Sequence, residues 1–247
     1  EAVRRMAQVD GKRGKVVWLP TFDAENQVRF SREDRPFVSV VKDGRPVPEL
    51  AEVLRIAAEA DLVFATGHSS SAESLIVLEA AHRAGVKRLL VTHVLTEPTR
   101  ATLEQMRAMA ALGAVMECTF LAHVGGPSWQ TPGAGATKAV PMEECVKAIQ
   151  AIGAAHFLIT SDLGQPNNPA HTVGLRAFVV ALRQSGLSER EIELITRTNP
   201  PRLLGLTQRR HALLSRPRRS DSRSGRRSIG ASSVRFARSL RMRGEPR

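Results

Sequence analysis

From residue 15 onward the chain alternates two hydrophobic patterns. Short continuous apolar runs occur at KVVWLP (15–20), DLVFAT (61–66), VKRLLVTH (86–93), AVMECTF (114–120) and HFLITSD (156–162). Between them lie longer stretches whose apolar residues recur every three or four positions. The first pattern predicts strands covered on both faces, and the second predicts amphipathic helices. VPELAEVLRIAAEA has Pro48 in its first turn and Leu50, Val53, Leu54 and Ala57 on one face. SSAESLIVLEAAHRAG opens with a capping box, Ser70 to Glu73, and stops at Gly85. EPTRATLEQMRAMAALG reads as a helix with Pro98 near its start and Gly113 at its end, and PMEECVKAIQAIG closes at Gly153. Another helix is predicted over roughly 170–184, and a second capping box, Ser188 to Glu191, opens the next.

Strand–helix–strand order with short links implies a parallel sheet of five strands in an α/β fold. Glycine-rich phosphate loops are missing from the strand ends: GHSSSAES and LGQPNNPA are not dinucleotide fingerprints, and GAGATK (133–138) has the wrong spacing and follows no strand. A nucleotide-binding function is therefore not indicated.

Charge changes the picture at one end. Residues 208–247 hold 13 arginines, no lysine and two acids, Asp221 and Glu245, which accounts for +11 of the formal +12. Residues 1–207, the expected barrel-type domain, are nearly neutral and lack the basic stripe that a phosphate backbone requires. The Arg/Ser-rich stretch 208–247 is too poor in apolar residues to offset its ordering entropy and is expected to be disordered. Any nucleic-acid binding is expected through it alone. Cys118 lies in an apolar run and reads as a buried thiol, and with Cys145 it forms no metal-type spacing. No apolar run is long enough to span a membrane and the N-terminus lacks a signal-peptide core, so a cytoplasmic protein acting on a small molecule is expected.

Candidate chemistry sits where the apolar runs stop. His68, His93, Glu117 and Asp162 lie at or near the ends of four successive strands. In a parallel α/β barrel those ends form the rim of the active site. Each has an ordinary structural explanation on its own: a lone histidine after a strand, a locally paired glutamate, a turn-forming aspartate in SDLG. Two imidazoles and a carboxylate from neighbouring strands form a ligand set suited to zinc, manganese or iron.

ATGH, VTH, ITSDLG and the closing NPPRLLGL (199–206) resemble the amidohydrolase superfamily of metal-dependent hydrolases, over roughly residues 15–206. The resemblance implies a TIM barrel, with His68 ending its fifth strand, His93 its sixth and Asp162 its eighth. It implies a divalent metal held by His68, His93 and Asp162, with Asp162 also the general base, and hydrolysis of a C–N or related polar bond. Glu117 matches no invariant ligand of the family and is expected to hold a histidine tautomer or to be structural. The family's first-strand His-x-His is missing from all seven histidines here. WLPTFDAEN lacks the lysine or glutamate that bridges two metals, with Asp23 a weak substitute. The chain is thus expected to be a truncated member, an incomplete barrel of the last five strands with exposed edges and apolar inward faces. The missing His-x-His strand counts against active hydrolysis by the chain, and two alternatives stand beside the hydrolase: a non-catalytic remnant or scaffold, and a metal-dependent phosphoesterase. The loop 121–141, with His123 and Trp129, has the composition of a lid, and Arg100 and Lys138 are the cations nearest the strand-end loops.

Overall fold

The computed structural model describes residues 1–124, 126–127, 136–137, 139–166 and 168–206. The expected tail, Trp129 and Lys138 lie outside them. The five apolar runs form strands β1 (Val16–Trp18), β2 (Val63–Ala65), β3 (Arg88–Val91), β4 (Val115–Thr119) and β5 (Phe157–Thr160). They build one sheet in chain order, β1-β2-β3-β4-β5, with every neighbouring pair parallel. This order is informative. Parallel crossovers share one hand, so a sheet that never reverses its order keeps its connecting helices on one face, as a β/α barrel does.

The helices are α1 (Ala2–Ala7), α2 (Glu25–Ser31), α3 (Pro48–Glu59), α4 (Ser71–Arg83), α5 (Leu103–Ala111), α6 (Leu121–Val124), α7 (Met142–Ile152), α8 (His171–Gln184), α9 (Glu189–Glu193) and α10 (Asn199–Leu203). Both predicted capping boxes form, at Ser70/Glu73 and Ser188/Glu191. One helix start differs from expectation. Pro98 lies before α5 rather than within it; Thr102 caps the helix in a third box with Gln105. The hydroxyl of Thr102 accepts the Gln105 N–H, which satisfies a donor that Pro98, four residues upstream, does not reach.

Alternation along each strand sorts side chains between two faces. Val17, Phe64, Leu89, Val91, Met116, Cys118, Phe157 and Ile159 face the helices and form the main core with residues such as Leu78, Met106, Ile149 and Phe178. Cys118 and Cys145 are both buried free thiols in that core. Val63, Ala65, Leu90, Val115 and Leu158 point the other way, into the concave side. These inward residues were expected to lie open, and they do not: none exceeds 7 % exposure. Leu203 of α10 packs into them from the N-terminal end of the sheet. Arg88 holds that helix in place. Its guanidinium donates to the Arg202 and Leu203 carbonyls at 3.0 and 3.3 Å and grips Asp61 through two bonds of 2.9 and 2.6 Å. Asn199, 1 % exposed, donates to the carbonyls of Ala154 and Phe157 at 2.8 and 2.7 Å. Among the described residues β1 pairs only with β2 and β5 only with β4, and Trp18 on β1 is 50 % exposed. No helix among them is long and apolar enough to cross a membrane.

Candidate metal centre

The strand ends are fastened to one another before they present any chemistry. The Thr66 hydroxyl accepts the Thr92 N–H at 3.1 Å, and the Thr92 hydroxyl accepts the Gly67 N–H at 3.2 Å. This reciprocal pair sets the ends of β2 and β3 side by side. Gly67, at φ +59°, then turns the chain so closely over the end of β1 that a Cβ would lie 2.4 Å from the carbonyl oxygens of both Leu19 and Pro20. His68 follows, its own N–H bonded to Pro20 O at 3.0 Å. The two imidazole rings lie with centroids 5.3 Å apart.

His93 and Asp162 both occupy left-handed backbone, φ 50° in each case. That conformation is uncommon for residues other than glycine and persists only where its surroundings enforce it. At His93 the carbonyl accepts the Thr99 hydroxyl at 2.7 Å and the Thr96 N–H at 2.9 Å. The turn aims the ring back over the sheet. Nε2 of His93 stands 3.5 Å from Asp162 Oδ2 and 3.7 Å from Glu117 Oε2.

His68 is 7 % exposed, and its Nδ1 is 2.9 Å from Gln27 Oε1, while Gln27 Nε2 donates to the Ser31 hydroxyl at 2.9 Å. An amide oxygen accepts, so the proton sits on Nδ1 and Nε2 keeps its lone pair. Burial, reinforced by the neighbouring His93, pushes the His68 pKa down to about 3. The ring is neutral at physiological pH, the state in which imidazole binds a metal. Burial raises the Asp162 carboxyl above its ordinary value, opposed by His93 and by Gln165, whose amide is 3.4 Å from Oδ1. Next to it, Ser161 Oγ and His171 Nδ1 are hydrogen-bonded at 2.7 Å.

A cleft of about 530 Å³ joins these groups, lined by Trp18, Phe22, His68, His93, Glu117 and Asp162 among others. No lysine or arginine occurs among the described lining residues. The other candidates lie elsewhere. Asp23 is 70 % exposed and paired with Arg35. Arg100 pairs with Glu144, away from the cleft. His123 of α6 bonds the Val140 carbonyl at 2.7 Å and packs on Phe178. Of the expected lid, Gly126–Pro127 and Ala136–Thr137 pair as a short antiparallel ribbon, and most of the intervening residues lie outside the described ones. Sequence reading missed Gln27, Thr160 and His171; a polar residue within a short helix next to a strand end is a weak signal, and Gln27 carried no other.

Does this donor set fit a divalent ion? Among the described residues no three His, Cys, Asp or Glu side chains already surround one point as metal ligands. Two spacings, both from His93, match those of ligands around one ion. At 3.5 and 3.7 Å the carboxylates are too far from His93 Nε2 for a good hydrogen bond. Ligands at 2.0–2.2 Å from a tetrahedral zinc lie about 3.4 Å apart. The chemistry of the donors, two imidazoles and two carboxylates lining one cleft, fits a divalent ion.

Comparison with known proteins agrees on the architecture. Residues 1–117, just under half the chain, match a family of unknown function (DUF6282). No curated protein matches. Among solved structures, the chain is similar to an amidohydrolase from Burkholderia multivorans with bound zinc, at 16% identity and TM-score 0.52, over 83% of this chain and 69% of that one. An amidohydrolase from Pseudomonas aeruginosa gives 14% identity and TM-score 0.55 over 82% and 67%. A metallo peptidase from Rhodobacter sphaeroides, liganded with a phosphinate mimic of the dipeptide L-Ala-D-Ala, gives 15% and 0.52 over 78% and 56%. At such identities the likeness establishes the fold: an α/β structure whose five parallel strands match part of these hydrolases. The chain spans about two thirds of the length of the two amidohydrolases.

Proposed function

We propose that the chain is a metal-dependent hydrolase of the amidohydrolase type, acting on a C–N or related polar bond of a small molecule. Its five strands would correspond to the fourth to eighth of a barrel. The observation that carries the reading is the placement of His93 Nε2 between two carboxylates beside a neutral, oriented His68, at the C-terminal ends of parallel strands. His68, His93 and Asp162 would hold the ion, which supplies Lewis acidity and lowers the pKa of bound water. Gln27 keeps the His68 lone pair turned outward. Asp162 receives the proton of the attacking water, and Gln165 steadies its second oxygen. Trp18 and Phe22 offer an apolar wall on the β1 side. A phosphoesterase is less well supported, because the described lining offers no lysine or arginine to a phosphate.

The test is metal content of purified protein by elemental analysis, beside a His68→Ala/His93→Ala double variant. Near-stoichiometric zinc, manganese or iron that the variant loses supports the reading, and the loaded protein is then assayed on a panel of N-acyl amides and lactones. Protein that takes up no metal overturns it and leaves the scaffold reading.

A further inference from the structure

Glu117 is unexplained by the residues assigned above. It lies on the concave face of β4, 8 % exposed, in register with Leu158 of β5. The Thr160 hydroxyl donates to its Oε1 at 3.0 Å. Its other oxygen, Oε2, accepts the His93 backbone N–H at 3.4 Å and faces His93 Nε2 at 3.7 Å. A carboxylate that merely fixes the tautomer of a metal-binding histidine bonds the nitrogen turned away from the metal. Glu117 instead addresses the same nitrogen as Asp162, from within the cleft. No described lysine or arginine lines that cleft to compensate two carboxylates. Unless His93 itself is protonated, these carboxylates have no cation beside them, which is costly for a buried group, and a divalent ion between Glu117, Asp162 and the imidazoles removes that cost.

Building on the metal-centre reading above, the geometry points to Glu117 as a further ligand of the same ion. The centre then comprises two imidazoles and two carboxylates and takes a divalent metal without a His-x-His pair. Thr160 is a positioning residue that holds Oε1, and the single long bond from the His93 N–H (3.4 Å) leaves Oε2 a lone pair for the ion.

The experiment titrates the metal-free chain with Zn²⁺ against a chromophoric chelator and with Co²⁺ by visible absorption, for wild type, Glu117→Gln and Thr160→Val. Glutamine still accepts the Thr160 bond while removing the charge. The expected result is zinc binding by wild type that weakens on the order of a hundredfold in Glu117→Gln, with an altered cobalt spectrum, and about tenfold in Thr160→Val. Wild-type affinity in Glu117→Gln overturns the assignment and leaves the metal reading standing. Failure of wild type to bind overturns both. If Glu117→Gln does not melt cooperatively, Thr160→Val decides: unchanged affinity overturns the assignment.

Discussion

Gly67 offers the sharpest test of how the strand ends are held. In Gly67→Ala the new methyl group meets two backbone oxygens, of Leu19 and Pro20, at 2.4 Å, and neither belongs to a flexible side chain that can swing away. The left-handed backbone at φ +59° adds about 1–2 kcal/mol for an L-residue. Relief of the contact moves the end of β1 away from β2. It thereby strains the His68 N–H bond to Pro20 O (3.0 Å), which joins the two strand ends. A buried donor left unpaired costs about 1–3 kcal/mol, so the substitution is expected to destabilise by about 2–5 kcal/mol. With a urea dependence of about 2–3 kcal/mol/M, the midpoint falls by about 1.5 M. Gly44→Ala is the control: its φ is +70° but nothing lies within 4 Å, so only the conformational cost applies. Urea unfolding followed by circular dichroism compares the two. If Gly67→Ala is no worse than Gly44→Ala, the close approach of β1 to the His68 turn is not a constraint, and the account of how the site is assembled fails.

Three further outcomes are expected. Gln27→Leu, which removes the acceptor at His68 Nδ1, is expected to weaken zinc affinity by about tenfold or more and, by leaving a buried donor unpaired, to destabilise the metal-free chain by about 1–3 kcal/mol, read by chelator competition and calorimetry. Asn199→Ala leaves the Ala154 and Phe157 carbonyls without their donor and should cost about 2–3 kcal/mol in chemical denaturation. Asp61→Asn tests pH dependence. The Arg88 guanidinium lowers the Asp61 pKa in the fold, so the pair stabilises above the unfolded carboxyl value and loses that stabilisation as pH falls through the lower folded one. Because Asp61 is largely exposed, wild type should exceed the variant by at most about 1 kcal/mol at pH 7, and the gap should close in acid.

The strands were readable because each is a continuous apolar run, and their parallel pairing followed from the helical patterns between them. Helix starts were readable where an S-x-x-E signature stands alone, at Ser70 and Ser188. Before α5 two signals compete, Pro98 and Thr102, and only the cap that reaches the N–H of Gln105 prevails. The concave face was misjudged for a different reason. Leu203 lies more than 100 positions from Val63, Leu90 and, in the packed cluster, even Ala65, and no local pattern announces that a five-residue helix will cover them. Gln27 escaped notice because a short polar helix carries no hydrophobic period, and its burial depends on His68, 41 positions away. Glu117 was visible as a strand-end acid, but its orientation toward Nε2 depends on the left-handed turn at His93, which chain order alone does not reveal.

The cleft draws Trp18 from the first strand and Asp162 from just beyond the last, so both edges of the sheet, each unpaired among the described residues, reach one cavity. If another strand, from whatever source, joins either edge and tightens ion binding by some factor, the ion strengthens that association by the same factor. In such a molecule metal concentration becomes a variable of assembly, and assembly a variable of metal affinity.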